Sequence, residues 1–261
     1  MIPLDNLNKF LDQYMHYDPK VNVSKIDEKN ANGLQYKGID KIKKIAFGVS
    51  ASLEIFKLAD KNGCQAVIVH HGVRLPDNPH YDIAFYSRIG CLIENNISLF
   101  GYHFLLDSHP KIGHNTLILN KLGVTNLKQY EIQDANWGWY GELKRSENLE
   151  LIIKKCKKLF QNKITVYNFG NKKVKTIAAI SGGGSPHGID LQNVADRNID
   201  LYITGEPREG IRELFREIKK NFIAGGHYAT EVIGVKALME KIKEHFKDKV
   251  EVEFIDLWNE V

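Results

Sequence analysis

Apolar and polar positions follow two rhythms along this chain, one near a helical period and one of short apolar runs. Residues 4–17 predict an N-terminal helix, and Ile42–Val49 (IKKIAFGV) then reads as a strand. Ser50 is a candidate N-cap for the helix ASLEIFKLADKNG, which Gly63 closes. The run CQAVIV ends in His70–His71–Gly72, and such runs suit parallel strands covered on both faces. Residues 80–96 predict a helix, Ile97–Tyr102 a strand and 113–122 another helix. After a less regular middle, Trp137–Leu143 predicts a strand and Ser146–Phe160 a lysine-rich helix with an apolar stripe. Strands are predicted next at 163–168, 174–180, Leu201–Thr204 and Phe222–Ala224, with helices near 187–198, 208–220 and 229–247. The strand VEVEFIDL ends the series. This alternation predicts an α/β fold with mostly parallel sheets.

The pattern also contains a repeat. One strand ends in V-H-H-G (69–72) and a later one in G-Y-H-F-L-L-D (101–107); further on, strands end in T-G-E-P (204–207) and G-G-H-Y-A-T-E (225–231). His103 and Asp107 are spaced like His227 and Glu231. Either short glycine-containing loops coincide, or the chain is a duplication of two related α/β lobes, 1–125 and 126–261, whose strand ends share a site.

Composition changes this picture little. The 261 residues are 43% hydrophobic and 26% charged, with 36 basic against 32 acidic side chains, which excludes a disordered chain and gives no nucleic-acid footprint. Three separated cysteines argue against a disulfide framework or zinc knuckle and for a reducing, cytoplasmic setting. The first residues carry two Asp and a Lys, so no signal-peptide core is expected, and no apolar run suits a membrane span. Histidine is the exception. Six of ten (His70, His71, His80, His103, His109 and His114) fall between 70 and 114.

Ligands of open α/β sheets bind at the carboxyl ends of strands. His70, His71, Asp107, Glu206, His227 and Glu231 all lie there by prediction. Imidazole with carboxylate suits Zn, Fe, Mn or Ni without selecting among them. Successive strand residues face opposite ways, so His70 and His71 serve one site only if the chain leaves the sheet there, and Gly72 supplies the turn. If the last long helix already covers His227, it and Glu231 share a face; if it starts later, Thr230 caps it.

These motifs identify a resemblance. With Asn32–Gly33–Leu34–Gln35, V-H-H-G, H-x-x-x-D at 103–107, the turn at 182–184, Y-I-T-G-E at 202–206 and G-H-Y-A-T-E at 226–231, nearly the whole chain resembles the Nif-three-like proteins. That family is also called the dinuclear-metal-centre or GTP cyclohydrolase 1 type 2 homologue family. The resemblance implies two α/β lobes with a dinuclear metal site in the cleft between them, two divalent metal ions per chain, and a toroidal homohexamer. It assigns His71 and Asp107 to one ion, His70 and His227 to the other, and Glu231 to both. His103 becomes a marginal ligand, or a residue standing just behind the ligands, and Glu206 an acid in the same cavity. His80, His109 and His114 fall outside the set. The chain departs from the family in reading His103–Phe104–Leu105–Leu106–Asp107 where H-T-x-L-D is usual, and in offering Asn30 or Asn32 where an acid precedes G-L-Q.

Two adjacent divalent ions activate water and clamp the oxygens of a displacement. The leading reading is thus a metal-dependent hydrolase of a small molecule or nucleotide, with Glu206 or His103 moving the proton. Glu206 reads equally well as an acid offsetting a helix macrodipole. The alternative function is a non-enzymatic, metal-stabilised ring binding nucleic acid or a regulatory partner, prompted by lysines at 41–44, 154–158, 172–175 and 241–249.

Overall fold

A computed structural model describes residues 1–18, 27, 32–75, 82–132 and 135–261. His80 and Asn30 lie outside the described residues. The chain divides into two compact units, Met1–Leu106 with Val235–Leu257, and Asp107–Gly234 with Trp258–Val261. The division differs from a cut near residue 125, because the last long helix and strand return to the first unit.

The first unit opens on β1 (Ile2–Pro3) and α1 (Leu4–Met15), whose Leu4, Leu7, Leu11 and Met15 are buried at helical spacing. After β2 (Gly33–Tyr36) and β3 (Lys41–Ile42), the chain alternates β4 (Lys44–Ser50), α2 (Leu53–Lys61), β5 (Ala66–His71), α3 (Ile83–Glu94) and β6 (Ser98–Gly101). The short α4 (Phe104–Asp107) comes next. α2 is capped by Ser52, whose hydroxyl accepts from Ile55 N–H at 3.2 Å. Ser50 is not the cap: β4 runs beyond the point where its apolar pattern fades and carries Ser50 with it. β4, β5 and β6 pair in parallel, β13 (Glu251–Phe254) adds in parallel to β4, and β2 pairs antiparallel with β6. Ala46, Phe56, Val67, Val69, Leu92 and Leu99 belong to the core of this unit.

The second unit contains α5 (His114–Leu122), β7 (Val124–Ile132), β8 (Ala135–Asn148), α6 (Leu149–Phe160) and β9 (Thr165–Asn168). β10 (Lys173–Ile180), α7 (Ile189–Asp196), β11 (Leu201–Thr204), α8 (Ile211–Glu217) and β12 (Asn221–Ala224) complete the alternation. α9 (His227–Phe246) begins here and continues into the first unit. The sheet order is β7-β8-β10-β11-β12-β9. Its orientation is mixed, which corrects the expectation of mostly parallel sheets. β10, β11 and β12 are parallel, while β7, β8 and β9 enter antiparallel pairings. β7 and β8 account for the irregular middle of the sequence: β7 is a mostly exposed edge strand with two register shifts, so it shows no clean alternation. The core of this unit is apolar, with Ile152, Cys156, Ile177, Leu201 and Ile223 buried together. The lysines of α6 lie on its exposed side, and Lys155 pairs with Glu147 at 2.7 Å.

Strand order repeats between the units. The run β2, β4, β5, β6 is arranged β4-β5-β6-β2, and the run β9, β10, β11, β12 is arranged β10-β11-β12-β9. Each run is preceded by a helix (α1, α6) and succeeded by one (α4, α9). The repeat seen in the motifs is therefore also a repeat of topology. Among the described residues, no helix is long and apolar enough to cross a membrane.

Candidate metal centre

In the first unit, parallel register fixes the starting point. Val69 of β5 stands opposite Gly101 of β6; Tyr102–His103 follow the end of β6, while His70–His71 are still in β5, His71 opposite Ser50 of β4, so the two histidines come together without the chain leaving the sheet. One ligand atom from each of His70, His71 and His103 lies within 4.8 Å of the other two, a group able to hold a metal ion. Each ring has its Nδ1 engaged. His70 Nδ1 donates to the Tyr102 carbonyl at 2.9 Å, His103 Nδ1 donates to Asp27 Oδ2 at 2.8 Å, and His71 Nδ1 pairs with the Ser50 hydroxyl at 2.9 Å. A carbonyl or carboxylate can only accept, so for His70 and His103 the tautomer is set and Nε2 carries the lone pair. An Nδ1–H held by a carbonyl or carboxylate is the usual support of a metal-binding imidazole.

The early Asn32–Gly33–Leu34–Gln35 motif holds this group from behind. Asn32 Oδ1 accepts from His103 N–H at 2.9 Å. Gln35 takes Val73 N–H at 2.9 Å and donates to Val73 O at 3.2 Å, clamping the chain just after β5. Removing the clamp in Gln35→Ala leaves both Val73 backbone groups without this partner, and we expect metal affinity to fall roughly 10-fold or more, as for lost supports of metal ligands. Competition titration against a metal indicator measures it; unchanged affinity would show that the clamp is irrelevant to the site. Sequence reasoning found the motif but not Asp27, which supplies an acid to His103 from outside any pattern. Phe104, in the place of the usual threonine, stacks on His103 at 4.2 Å between ring centres.

In the second unit, the aligned ends of β10, β11 and β12 present Ser181–Gly184, Gly205–Glu206 and Gly225–His227 along one sheet edge. α9 already covers His227, which settles the two readings of this segment: His227 and Glu231 share a helix face, and His227 Nε2 lies 3.1 Å from Glu231 Oε1. Thr230 is not the cap; its hydroxyl donates to Gly226 and His227 carbonyls and accepts from Gly182 N–H at 3.0 Å. His227 Nδ1 donates to Glu206, so this ring too directs Nε2 away from its support. Glu231 is almost fully buried, a setting in which a carboxylate needs a partner or a metal. Gly182, at φ +57°, lies so close to this pair that a Cβ there would stand 2.9 Å from His227 Nε2 and overlap Glu231 Oε1.

Asp107 is buried and accepts from the Ser181 hydroxyl at 2.5 Å. Its ligand atom and one of His114 lie within 4.8 Å of each other. His114 falls outside the set expected from the sequence; its Nδ1 accepts from Gly234 N–H at 3.1 Å, the reverse of the arrangement at His70. His109 is like His114, with Nδ1 accepting from Lys111 and Ile112 N–H groups at 3.2 Å. His109 and His114 thus anchor backbone N–H groups through Nδ1, whereas His70 and His103 donate from it.

Burial works against charging His227, but hydrogen bonds and charge from Glu231 and then Glu206 outweigh it and push the imidazole up from 6.5 to about 9. A raised pKa stabilises the folded chain fully below 6.5, and that contribution is lost as pH rises through about 9. Protein stripped by a chelator should therefore melt at falling temperature between these pH values, and Glu206→Gln should shrink the fall. A flat profile in stripped wild type would contradict this arrangement.

Comparison with known proteins agrees with the motifs. A curated relative from Pyrococcus horikoshii, named GTP cyclohydrolase 1 type 2 homolog, is 35% identical over 97% of both chains. One of the same name from Pasteurella multocida is 34% identical over 95% of this chain and 97% of its own. A solved structure described as protein ybgI, of unknown function, is 29% identical and covers 100% of both chains at a TM-score of 0.86. The model of the Duf34/NIF3 (NGG1p interacting factor 3) family matches residues 9–260, and the chain belongs to that family.

Proposed function

We propose that the chain binds two divalent metal ions and is a metal-dependent hydrolase of a small molecule, with nucleotides the first class to test. His71 and Asp107 would hold one ion, His70 and His227 the other, and Glu231 both. The observation that carries this reading is the support given to the histidines: His70 Nδ1 donates to the Tyr102 carbonyl and His227 Nδ1 to Glu206, the arrangement of a metal-binding imidazole, and His227 Nε2 stands 3.1 Å from the buried Glu231 carboxylate. The mixed nitrogen and oxygen donors fit Zn, Fe, Mn or Ni. When bound, such ions supply Lewis acidity at a carbonyl, phosphoryl or C=N centre.

The chain's own groups divide the remaining work. Glu206 holds His227 by Nδ1, which makes it a positioning residue, in place of the proton carrier suggested by its sequence position. His103, backed by the buried Asp27 carboxylate, is the group arranged to take and return a proton. A cytoplasmic, toroidal homohexamer belongs to the same proposal and is supported by the family resemblance.

Elemental analysis of the purified protein should return close to two ions per chain. GTP, suggested by the relatives' name, should head a panel of nucleotides, phosphodiesters and cyclic amides assayed with Mn, Fe and Zn. Turnover that disappears on chelation and returns with metal supports the hydrolase; failure of every substrate in metal-loaded protein removes it and leaves metal binding alone.

A further inference from the structure

Two of the four lysine runs in the sequence, 41–44 and 241–249, meet in the first unit, because β13 pairs in parallel with β4 and sets Glu251 beside Lys44. They meet at the amino ends of these strands, whereas His70 and His71 stand at the carboxyl end of β5 in the same parallel run. A cavity of about 700 Å³ opens where α9 turns into β13, a size that suits a small-molecule ligand. Lys44, Lys243 and Lys247 line it together with Asp248, Glu251 and Glu253, and Val250 and Val252 add an apolar part.

The lining does not neutralise itself, because its charges are unevenly paired. Glu253 is committed to Lys44 at 2.8 Å, and Glu251 to Lys43, outside the cavity, at 3.8 Å. Lys241, one turn earlier on α9, has Glu244. Lys243 and Lys247 have no ion pair or side-chain hydrogen bond among the described residues. With Lys43 counted, four lysines stand against three carboxylates, so the cavity is positive. Lys247 also holds φ +48°, the left-handed conformation in which a helix usually ends on glycine. The α9 macrodipole favours cations at this end, but it calls for no cavity beside them.

We infer that this cavity binds a small phosphate monoester, its dianionic phosphate held by Lys243 and Lys247 with Lys44 beside them. Lysine ammonium groups hold phosphate as compact charges with three rotatable donors each. Asp248 repels the phosphate and suits a hydroxyl on the rest of the ligand, which Val250 and Val252 help to cover. The site uses none of the proposed metal ligands, so it stands or falls apart from the hydrolase.

Equilibrium dialysis with radiolabelled ribose 5-phosphate and inorganic phosphate, before and after chelation of the metal, tests it. Ribose 5-phosphate should bind saturably, with a Kd below about 1 mM, and equally well in chelated protein. Lys243→Gln combined with Lys247→Gln should weaken binding at least about tenfold. Lys41→Gln combined with Lys249→Gln removes the same charge from the same two runs but outside the lining, and should leave binding unchanged. The ligand should also slow acylation of Lys243 and Lys247 by an activated ester, mapped by mass spectrometry, and not that of Lys41. Absence of saturable binding, or binding lost on chelation, would overturn the inference. So would equal loss in the two double variants, which marks unspecific attraction, or tighter binding of inorganic phosphate than of the ester.

Discussion

Replacing His71 and Glu231 together by alanine should strip the chain of its metal, from close to two ions to close to none, while leaving its secondary structure intact. The two residues sit on different elements, β5 and α9, and each is held by a different support, Ser50 for one and the His227 pair for the other. In the proposed assignment His71 serves one ion and Glu231 serves both. Their joint loss strips one ion of two protein ligands and the other of its shared carboxylate, leaving too few to retain either at micromolar concentrations. Folding should survive because neither side chain contributes apolar packing, and removing the buried Glu231 carboxylate also removes the need to compensate it. Elemental analysis with far-ultraviolet circular dichroism reads both halves of the expectation. An unchanged metal content would show that these residues are not the ligands.

Gly182→Ala should be the most damaging single-methyl change at the site. Two effects combine. Alanine at φ +57° costs about 1 kcal/mol. The added Cβ also falls on Glu231 Oε1 and 2.9 Å from His227 Nε2, and the carboxylate has little room to retreat because it is buried. Relief requires the Glu231–His227 pair to open, which moves two proposed ligands at once. We expect metal affinity to fall on the order of 100-fold, with a melting temperature lower by roughly 5 °C. Isothermal titration and a thermal melt separate the two effects; retention of wild-type affinity would show that this turn does not abut a working centre.

Much of the two candidate ligand groups is legible in the sequence because each sits where an apolar run ends. The apolar runs AVIV of β5 and FIA of β12 give way abruptly to His70 and to Gly225, which marks where polar groups gather at the strand ends. The parallel strands are readable for the same reason, since runs such as AVIV and LYIT have no polar face to present to water. The illegible parts are held by single contacts across long separations. Asp27 reaches His103 over 76 positions and Ser181 reaches Asp107 over 74, and neither spacing leaves a local trace. β7 is hidden because an edge strand with exposed Lys128, Gln129 and Glu131 looks like a loop. The start of α9 reads two residues late because Gly225–Gly226 resembles a linker, whereas the helix begins at once on His227.

The pairing of β13 with β4 bears on how the chain is made. Residues 107–234 of the second unit are continuous, so nearly all of that unit has left the ribosome before α9 is complete. The first sheet, begun earlier, still lacks the strand that joins Glu251 to Lys44 and Phe254 to Phe47. Until it arrives, β4 offers an unpaired and apolar edge, open to the wrong partner. Glu253 then fastens the late strand, taking hydrogen bonds from Asn62 at 2.9 Å and the Cys64 thiol at 3.3 Å and an ion pair from Lys44 at 2.8 Å. The unit that starts first in synthesis thus waits for residues 235–257, made after residues 107–234 of the other, and a nascent chain stalled before residue 251 should be the form most in need of a chaperone.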